Sequence, residues 1–500
     1  MLKHTILKLA AQITKYRLYK WASKPTITQN KQFLNLIKKG SQTAFGKDHN
    51  FYEINSHSEF IANVKVKDYE GLLPYIERIL KGEKDVLWPG KPVYLAKTSG
   101  TTSGIKHIPI TKESMPAHIN SSRDAIFHYI NETGKTDFLK RKVIFLQGSP
   151  VLKELNGIKT GRLSGIVAHY TPSYLKTNIM PSWKSNCIKD WEKKVEEITN
   201  ETINEDMAVI GGIPPWVQMY FEKLKKVSGK KTISELFPNF KLFVYGGVNY
   251  EPYRNTFNKL IGKKIDTLEY FPASEGFFAY QDSQKSNGLL LQLNSGIFYE
   301  FIKLQDMGLE NPKRHTVENV IKDTNYVLII STNAGLWAYN TGDTIAFISL
   351  FPHRIIVTGR YKHFISAFGE HVIASEVEKS LKLALEKQPL EVNEFCVVPQ
   401  VSPKKGLPFH EWWIEFKKPP SNSEVKKLSA ALDYHMQIHN IYYKDLIEGK
   451  VLKELEIIAL KEGVFKKYMK SKGKLGGQNK LPRLSNDRMV VEEILLKIKV

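Results

Sequence analysis

Short apolar runs alternate with longer helical patterns from residue 91 to residue 260, and few folds are compatible with such an arrangement. Helices are predicted over residues 113–131 and 183–200. A third begins at the Pro214-Pro215 pair, because proline fits the first turn of a helix. The short runs are predicted strands, at residues 93–96, 143–146, 207–213 and 241–245. The alternation favours an α/β fold with a largely parallel sheet.

From residue 265 to residue 357 the pattern becomes dominated by strands. Two apolar runs flank Asn294-Ser295-Gly296, a typical hairpin turn, and with the strands that follow they predict a β-subdomain or barrel. After Gly359-Arg360 a mixed pattern covers about 140 residues, a normal size for a separate domain. We therefore predict an α/β protein with a large N-terminal domain, residues 1–358, and a smaller α+β C-terminal domain, residues 359–500.

The length and the cysteine content limit the class of protein. A chain of 500 residues buries a large core without disulfides or structural metal. Its two cysteines, Cys187 and Cys396, form no CxxC motif. This fits a reducing compartment, and we expect a cytoplasmic location. No apolar run approaches the roughly 18 residues that span a bilayer, so no transmembrane segment is predicted.

Charge and its distribution bear on the partners. The formal net charge is +22, but the lysines are spread along the chain, without a run of six like charges or an aromatic-basic repeat. This argues against specific nucleic-acid binding, whereas a positive field suits a small anionic substrate. Residues 1–24 are basic and amphipathic, and a first helix packed on the core is favoured there over a membrane-surface helix.

The strongest local signal is the sequence Lys-Thr-Ser-Gly-Thr-Thr-Ser-Gly-Ile-Lys at residues 97–106. It follows a predicted strand and precedes a predicted helix, and five hydroxyl side chains occur within six residues. Small residues let the backbone approach a polyanion, and amides and hydroxyls then hold phosphate oxygens. The spacing of Lys106 excludes a Walker A loop. The pattern favours phosphate binding over an ordinary Ser/Thr/Gly loop.

Two further motifs are weak when taken alone. Residues 268–276 read Leu-Glu-Tyr-Phe-Pro-Ala-Ser-Glu-Gly, which offers an aromatic face for a base and a carboxylate for Mg²⁺. Residues 337–343 read Trp-Ala-Tyr-Asn-Thr-Gly-Asp, in which the aspartate could accept hydrogen bonds from ribose hydroxyls. Taken alone, the first motif is better explained by a strand end with one solvated glutamate, and the second by an ordinary β-turn.

The order and spacing of the three motifs are specific together. A hydroxyl-glycine loop near residue 100, aromatic-x-x-Ser-Glu-Gly at 271–276 and Tyr-x-x-Gly-Asp at 339–343 resemble the adenylate-forming superfamily. Within it, the chain is similar to the auxin-responsive Gretchen Hagen acyl acid amido synthetases, and we expect a microbial member. The resemblance extends to Gln-Asn-Lys-Leu-Pro-Arg at 478–483. It implies an adenylate-forming N-terminal domain and a mobile C-terminal domain. It also implies ATP-dependent, AMP-forming transfer of an acyl group from a carboxylic acid to an amine such as an amino acid.

The resemblance also implies a set of ATP-binding residues. The phosphates would bind at Thr98, Ser99, Thr101 and Thr102. The remaining contacts would come from Gly246 and Gly247 near the adenine and the acyl carboxylate, Tyr270 at the adenine, Asp343 at the ribose, and Ser274 and Arg360. Glu275 would act as a catalytic residue through a bound Mg²⁺, and Lys480 is the best match for the family's C-terminal lysine near the reaction centre.

Two other functions remain open. An acyl-CoA ligase of the same fold would share the first half-reaction and pass the acyl group to a thiol. A basic binding protein on a degenerate fold would lack catalysis, although Ser99, Thr101, Glu275 and Asp343 are all retained.

Overall fold

The computed structural model describes the chain except for residues 1, 100–104, 172–175, 189, 248–249, 362–363, 366–371, 389, 401–402, 404–405, 449–451, 474–480, 486–487 and 498–500. The chain forms two compact units: unit 1 contains Met1–Thr341 and Ile345–Ile356, and unit 2 contains Gly342–Thr344 and Val357–Val500. Within the described residues, no helix is both long and apolar enough to cross a bilayer.

The first part of the chain supplies twelve described helices and fifteen described strands. Helices α1 to α12 are Leu2–Ala22, Pro25–Gly40, Ala44–Asp48, His57–Asn63, Tyr69–Leu80, Met115–Thr133, Leu163–Ala168, Trp183–Asn186, Trp191–Thr202, Pro214–Ser228, Ile233–Leu236 and Glu251–Ile261. Strands β1 to β15 are Tyr94–Ser99, Ile105–Ile110, Lys142–Leu146, Lys153–Leu155, Ile158–Gly161, Ile179–Met180, Met207–Gly212, Leu242–Gly246, Asp266–Ala273, Gly276–Tyr280, Leu289–Leu291, Ile297–Lys303, Asn325–Thr332, Tyr339–Leu350 and His353–Arg360.

Eleven of the described strands form one sheet, in the order β12-β13-β14-β15-β11-β10-β9-β8-β7-β3-β6. Strands β6, β3, β7, β8 and β9 run parallel, with Gly211 opposite Val244 and Val244 opposite Leu268. The predicted α/β class with a parallel sheet is confirmed. The strand-rich segment also lies where it was expected, but it continues this sheet, because β10 returns antiparallel to β9 and β11 pairs with β10 and β15.

Both faces of the parallel strands are buried, and successive residues therefore face different helices. Ile210 and Phe243 belong to a core formed with α9, α10 and α12, whereas Val209 and Val244 belong to a core formed with α1 and α6. Burying an aliphatic or aromatic side chain of this size contributes about 1.5–3 kcal/mol. The two cores fix the parallel strands between two helical layers, so the strand ends are held in place.

A second described sheet contains β2, β1, β5 and β4. It shows that the prediction for the hydroxyl-rich loop was wrong in one respect. The hydroxyl-rich loop was expected to connect a strand to a helix. It instead connects β1 to β2, which pair antiparallel with Thr98 opposite Lys106 and Ser99 opposite Ile105. Helix α6 begins only at Met115. The phosphate-binding hypothesis for this loop therefore depends on backbone amides and hydroxyls, without a helix N-terminus directly behind it.

Helix α1 packs on the core, as the sequence predicts, but only on one side. Ala11 is fully buried, and Leu18 and Trp21 are partly buried against the core that α6 shares. On the other side Ile6 and Leu9 are more than half exposed. The apolar pattern of residues 1–24 thus contains two stripes, and packing accounts for one of them.

A buried ion network holds α4 against the antiparallel half of the large sheet. Glu300 on β12 is fully buried and receives hydrogen bonds from Nε and Nη2 of Arg314 at 2.7 and 2.6 Å. Nε2 of His57 lies 2.6 Å from the same carboxylate, and Nη1 of Arg314 donates to the Val64 carbonyl at 2.6 Å. Every charged group in this network has a partner, which is the condition for keeping charges buried.

Unit 2 is a small α+β arrangement. Its described elements are β16 (Phe364–Ile365), β17 (Val372–Ile373), α13 (Ala374–Lys387), β18 (Val392–Gln400), β19 (Phe409–Phe416), α14 (Asn422–His439), α15 (Ile441–Glu448), β20 (Glu456–Leu460), α16 (Val464–Ser471) and α17 (Met489–Lys497). Strand β19 pairs antiparallel with β18 and parallel with β20. Its eight residues are all buried, since helices and loops cover both faces. The mixed pattern predicted for this part of the chain is observed.

One buried carboxyl group makes the stability of unit 2 depend on pH. Glu376 accepts hydrogen bonds from the Ile373 amide at 3.0 Å and from Asn440 Nδ2 at 2.9 Å, yet burial raises its pKa to about 7. The folded unit therefore holds this proton over a range, from about pH 4.5 to about 7, in which the unfolded chain has released it. Because the folded state binds the extra proton, stability falls as the pH rises through this window.

We expect Glu376→Gln to remove this dependence. At about pH 8 the variant should be more stable than the parent by up to about 3 kcal/mol, and near pH 4.5 the two should be similar. Thermal unfolding across this pH range measures the effect. Glu386→Gln, an exposed change on the same helix, is the matched control. A parental pH profile that survives in Glu376→Gln would contradict the assignment.

Candidate functional site

The parallel strands of unit 1 end together at one edge of the large sheet. Strands β3, β7, β8 and β9 end at Leu146, Gly212, Gly246 and Ala273. In open α/β sheets, ligands bind beyond the carboxyl ends of the strands, where the connecting loops leave a crevice. Two of the predicted motifs, Gly246-Gly247 and Ser274-Glu275, follow adjacent strands at this edge. The fold thus places both segments on neighbouring strands, with Gly246 paired to Tyr270 and the Ser274-Glu275 turn following at the end of β9.

Glycines line the edge because side chains do not fit there. A Cβ atom on Gly246 would lie 2.5 Å from the carbonyl oxygen of Tyr270, a backbone atom that cannot move aside without breaking the β8–β9 pairing. A Cβ atom on Gly211 would lie 2.5 Å from the ring of Phe145. Gly247 has φ of +81°, in the left-handed region that favours glycine. A ligand at this edge would therefore meet backbone rather than side chains.

Ser274 and Glu275 form the turn between β9 and β10. Ala273 pairs with Gly276 across this turn, so the two residues project from the end of the strand pair. Ser274 is buried and Glu275 is half-buried. A half-buried carboxylate at the carboxyl edge can accept hydrogen bonds or ligate a hard cation such as Mg²⁺. The second motif, which is weak in the sequence alone, thus places its glutamate at the edge of the sheet where ligands bind in open α/β folds.

The two aromatic residues before this turn point to opposite faces of β9. Tyr270 packs edge-on against Phe277, and its hydroxyl donates to the Ser122 carbonyl on α6 at 3.0 Å. Burial raises the pKa of Tyr270 well above its ordinary value. Phe271 is half-buried on the other face, and the centroid of its ring lies 5.2 Å from that of Phe278. The Tyr270 hydroxyl already donates its hydrogen bond to α6. The contact between Tyr270 and adenine therefore stays a prediction.

The predicted phosphate-binding residues are only partly described. Thr98 lies half-buried near the end of β1, and Ser99 is the last residue of that strand. Thr101 and Thr102 lie outside the described residues. Strand β1 pairs parallel with β5, with Leu95 opposite Thr160.

In unit 2, Asp343 and Arg360 form an ion pair. Arg360 Nε lies 2.9 Å from Oδ1 of Asp343, and the aspartate side chain is largely buried whereas the arginine is half exposed. Asp343 was expected just after a tight turn, but it lies inside the long strand β14, next to Gly342 with φ of +78°. The Tyr361 amide donates to the Gly342 carbonyl at 2.8 Å. Lys480 lies outside the described residues.

Two cations near the end of β3 were not found from the sequence. Lys194 Nζ donates to the carbonyls of Gln147 and Asn186 at 2.8 and 2.7 Å, and burial lowers its pKa to about 8. Arg162 packs against Gly148, and burial lowers the pKa of its guanidinium as well. No motif contains either residue, because they come together only when α9 and the residue after β5 fold beside the end of β3. They add positive charge at the carboxyl edge.

Comparison with known families covers most of the chain. The GH3 family N-terminal domain matches residues 14–186 and 184–265, the GH3 family central domain matches residues 290–360, and the GH3 family C-terminal domain matches residues 373–489. The chain belongs to the GH3 family. The resemblance to the Gretchen Hagen acyl acid amido synthetases is therefore confirmed. The matched segments contain Asp343, Arg360 and Lys480. Residues 266–289, which include the Ser274-Glu275 turn, fall between two matched segments and are not matched themselves.

Two GH3 relatives in plants resemble the chain, one of them over most of its length. The indole-3-acetic acid-amido synthetase GH3.15 of Arabidopsis thaliana is 22% identical over 88% of this chain and 86% of that protein. The indole-3-acetic acid-amido synthetase GH3.3 of the same plant is 24% identical, over 39% of this chain and 34% of its own length.

Solved structures support the fold assignment. The Arabidopsis GH3.15 acyl acid amido synthetase in complex with 2,4-DB has a TM-score of 0.80 at 16% identity, covering 97% of this chain and 96% of that one. A 2-hydroxyisobutyryl-CoA ligase in the postadenylation state, in complex with R3-HIB-AMP, has a TM-score of 0.58 at 11% identity, covering 94% and 91%. At these identities the likeness establishes a shared fold. That fold is the one of the adenylate-forming enzymes, as the motif spacing predicts.

Proposed function

We propose that the protein is an ATP-dependent acyl acid amido synthetase, which activates a carboxylic acid as its acyl-adenylate and transfers the acyl group to the amine of an amino acid. The observation that carries this proposal is the match to all three domains of the GH3 family, from residue 14 to residue 489. Neither cysteine forms a disulfide, which agrees with the cytoplasmic location we propose.

The chemistry explains why such a site needs positive charge and backbone donors. A carboxylate is a poor electrophile, and its attack on ATP brings two anions together. Fixed cations and oriented amides at the reaction centre reduce this repulsion. Adenylation then gives the acyl group a good leaving group, and an amine can attack it directly without a covalent enzyme intermediate.

The residues of unit 1 fit a nucleotide with its magnesium ion. Mg²⁺ is bound in nucleotide sites by one or two carboxylates together with substrate phosphates, and Glu275 is a half-buried carboxylate at the carboxyl edge. Mg²⁺ would neutralise the phosphate charge that develops in the transition state. Gly246 and Gly247 would let the nucleotide and the acyl carboxylate approach the backbone. Thr98, Ser99, Thr101 and Thr102 would hold phosphate oxygens, and Ser274 and Tyr270 would complete the nucleotide site.

Residues of unit 2 have proposed roles in the same reaction. Asp343 would accept hydrogen bonds from the ribose hydroxyls, and its ion pair with Arg360 would fix the carboxylate. Lys480 would neutralise negative charge near the reacting carboxylate. We further propose that residues 359–500 move as a domain between adenylation and acyl transfer, because a reoriented domain can present different side chains to each step.

Acid-dependent exchange of radioactive pyrophosphate into ATP tests the first half-reaction. We expect exchange that requires both Mg²⁺ and one acid from a panel of aromatic and aliphatic carboxylic acids. With that acid, addition of amino acids should give an amide and AMP. The fold is shared with a CoA ligase, so coenzyme A is tested as the competing acceptor. Formation of a thioester with CoA and no amide with any amino acid would overturn the amide assignment, and absence of exchange across the panel would overturn the enzymatic one.

A further inference from the structure

Helix α1 has a second apolar stripe, on the side opposite its packed face. Ile6, Leu9, Ile13 and Tyr16 are spaced by three, four and three residues, so they lie along one side of the helix. Their exposed fractions are 55%, 56%, 44% and 71%. The packed residue Ala11 is on the other side, where α1 contacts α6. The stripe therefore faces away from the core that already holds the helix.

Such a stripe requires an explanation, because contiguous apolar surface is rare on soluble domains and marks an interaction site. The family match begins at residue 14, so most of the stripe precedes it. None of the proposed roles in adenylation or acyl transfer uses these residues.

Charge around the stripe identifies the kind of partner. Residues 1–47 contain ten lysines and arginines and no aspartate or glutamate, the first acidic residue being Asp48. On α1 itself, Lys8, Lys15, Arg17 and Lys20 are exposed, and none of them makes an ion pair with the described residues. An apolar stripe flanked by unpaired cations on an acid-free helix is complementary to an anionic lipid surface. A nucleic acid would neutralise the cations but would leave the apolar stripe exposed to water.

We propose that α1 attaches the enzyme peripherally to anionic membranes, with Ile6, Leu9 and Ile13 in the acyl-chain boundary and the basic side chains at the headgroups. Tyr16 and the exposed Tyr19 then lie at the depth that tyrosine prefers, between the apolar layer and water. Helix α1 lies parallel to the membrane plane, since its packing on α6 occupies the opposite side. Attachment by a stripe of this size is reversible, and it depends on salt because the charges contribute.

Vesicle flotation with the full-length protein tests the proposal. Vesicles of phosphatidylcholine with about 30 mol% phosphatidylserine should carry the protein, whereas vesicles of phosphatidylcholine alone should bind it at least about tenfold less. The triple change Ile6→Ser, Leu9→Ser, Ile13→Ser should reduce binding to the anionic vesicles at least about tenfold. Lys8→Gln, Lys15→Gln, Arg17→Gln should have a similar effect at low salt. Pyrophosphate exchange in solution should be unchanged in both variants, which shows that they are folded.

Matched control variants distinguish loss of the stripe from a general loss of positive charge or of exposed apolar surface. Val227→Ser, Leu309→Ser, Ile321→Ser removes three exposed apolar side chains elsewhere in unit 1, and Lys226→Gln, Lys230→Gln, Lys231→Gln removes three exposed lysines. Neither control should reduce flotation more than about twofold. Equal binding to neutral vesicles, or full binding by the stripe variant, would overturn the proposal. The proposal would also be overturned if the parent protein bound no vesicles but sedimented as a homodimer, and the stripe variant sedimented as a monomer. The stripe would then be covered by a second copy of the chain.

Discussion

Glu275→Gln should reduce acid-dependent pyrophosphate exchange by at least about two orders of magnitude, the usual effect of removing one group that acts on developing transition-state charge. The change keeps the size and shape of the side chain, but it replaces one acceptor oxygen with an amide donor and removes the charge that a magnesium ion requires. Glu275 lies in the two-residue turn between β9 and β10, so the substitution leaves the strand pairing in place. Exchange measured over a range of Mg²⁺ concentrations should show both a lower maximum and a higher requirement for the metal.

A charge-matched control is available on the surface of the same unit. Glu310→Gln removes one exposed carboxylate and should leave exchange within about twofold of the parent, since surface substitutions away from a site have small effects. Glu275→Asp, which keeps the charge, should recover part of the activity. If Glu275→Gln exchanged pyrophosphate at the parental rate with the same metal dependence, the assignment of this carboxylate to Mg²⁺ would be wrong. The family assignment would survive that result.

The largest effect on stability is expected from Glu300→Ala. This change leaves the guanidinium of Arg314 buried without its bidentate partner, and removing one member of a buried ion pair typically costs about 3–5 kcal/mol. Urea unfolding at neutral pH measures the loss. Glu83→Gln, in the exposed pair of Arg78 and Glu83, should have little effect. Replacing both Glu300 and Arg314 with apolar residues should cost less than Glu300→Ala alone, because no unpaired charge then remains.

The same network should make unit 1 sensitive to acid. Burial raises the pKa of Glu300, but the charge of Arg314 and the hydrogen bonds from His57 and Arg314 outweigh it, and the net pKa is lowered. A carboxylate with a lowered pKa contributes stability above its unfolded pKa and loses it as the pH falls through the folded one. The advantage of the parent over Glu300→Ala should therefore shrink below about pH 4, near the ordinary pKa of glutamate. An advantage that stays constant down to acid unfolding would contradict this account.

Local chemistry made several elements predictable from the sequence. The Pro214-Pro215 pair begins a helix, and α10 starts at Pro214. The apolar run of residues 207–213 predicts a strand, and Met207–Gly212 is a strand whose residues are almost all buried. The family could be predicted because three short motifs occur in a fixed order, and order along the chain needs no knowledge of contacts.

Pairing between distant segments could not be predicted in the same way. Residues 105–110 contain Lys106, His107 and Pro109 and do not alternate cleanly, so β2 was missed. It is an edge strand, where proline is tolerated. The turn at residues 294–296 suggests a hairpin, yet β11 pairs with β10 and β15 while β12 pairs with β13. Arg162 and Lys194 were missed for the same reason, since folding alone brings them together.

In the proposed site, the bare glycine edge of the sheet limits which positions can be varied to change selectivity for the acid. At positions 211 and 246, any added methyl group meets a ring or a carbonyl oxygen at 2.5 Å, so a mutagenesis library at these codons would yield mostly inactive proteins. We expect variation to be better tolerated in the segments that leave this edge, such as the first turn of α10. We therefore expect the glycine positions to be constrained by the sheet itself, and selectivity for the acid to be changed by substitutions at other positions.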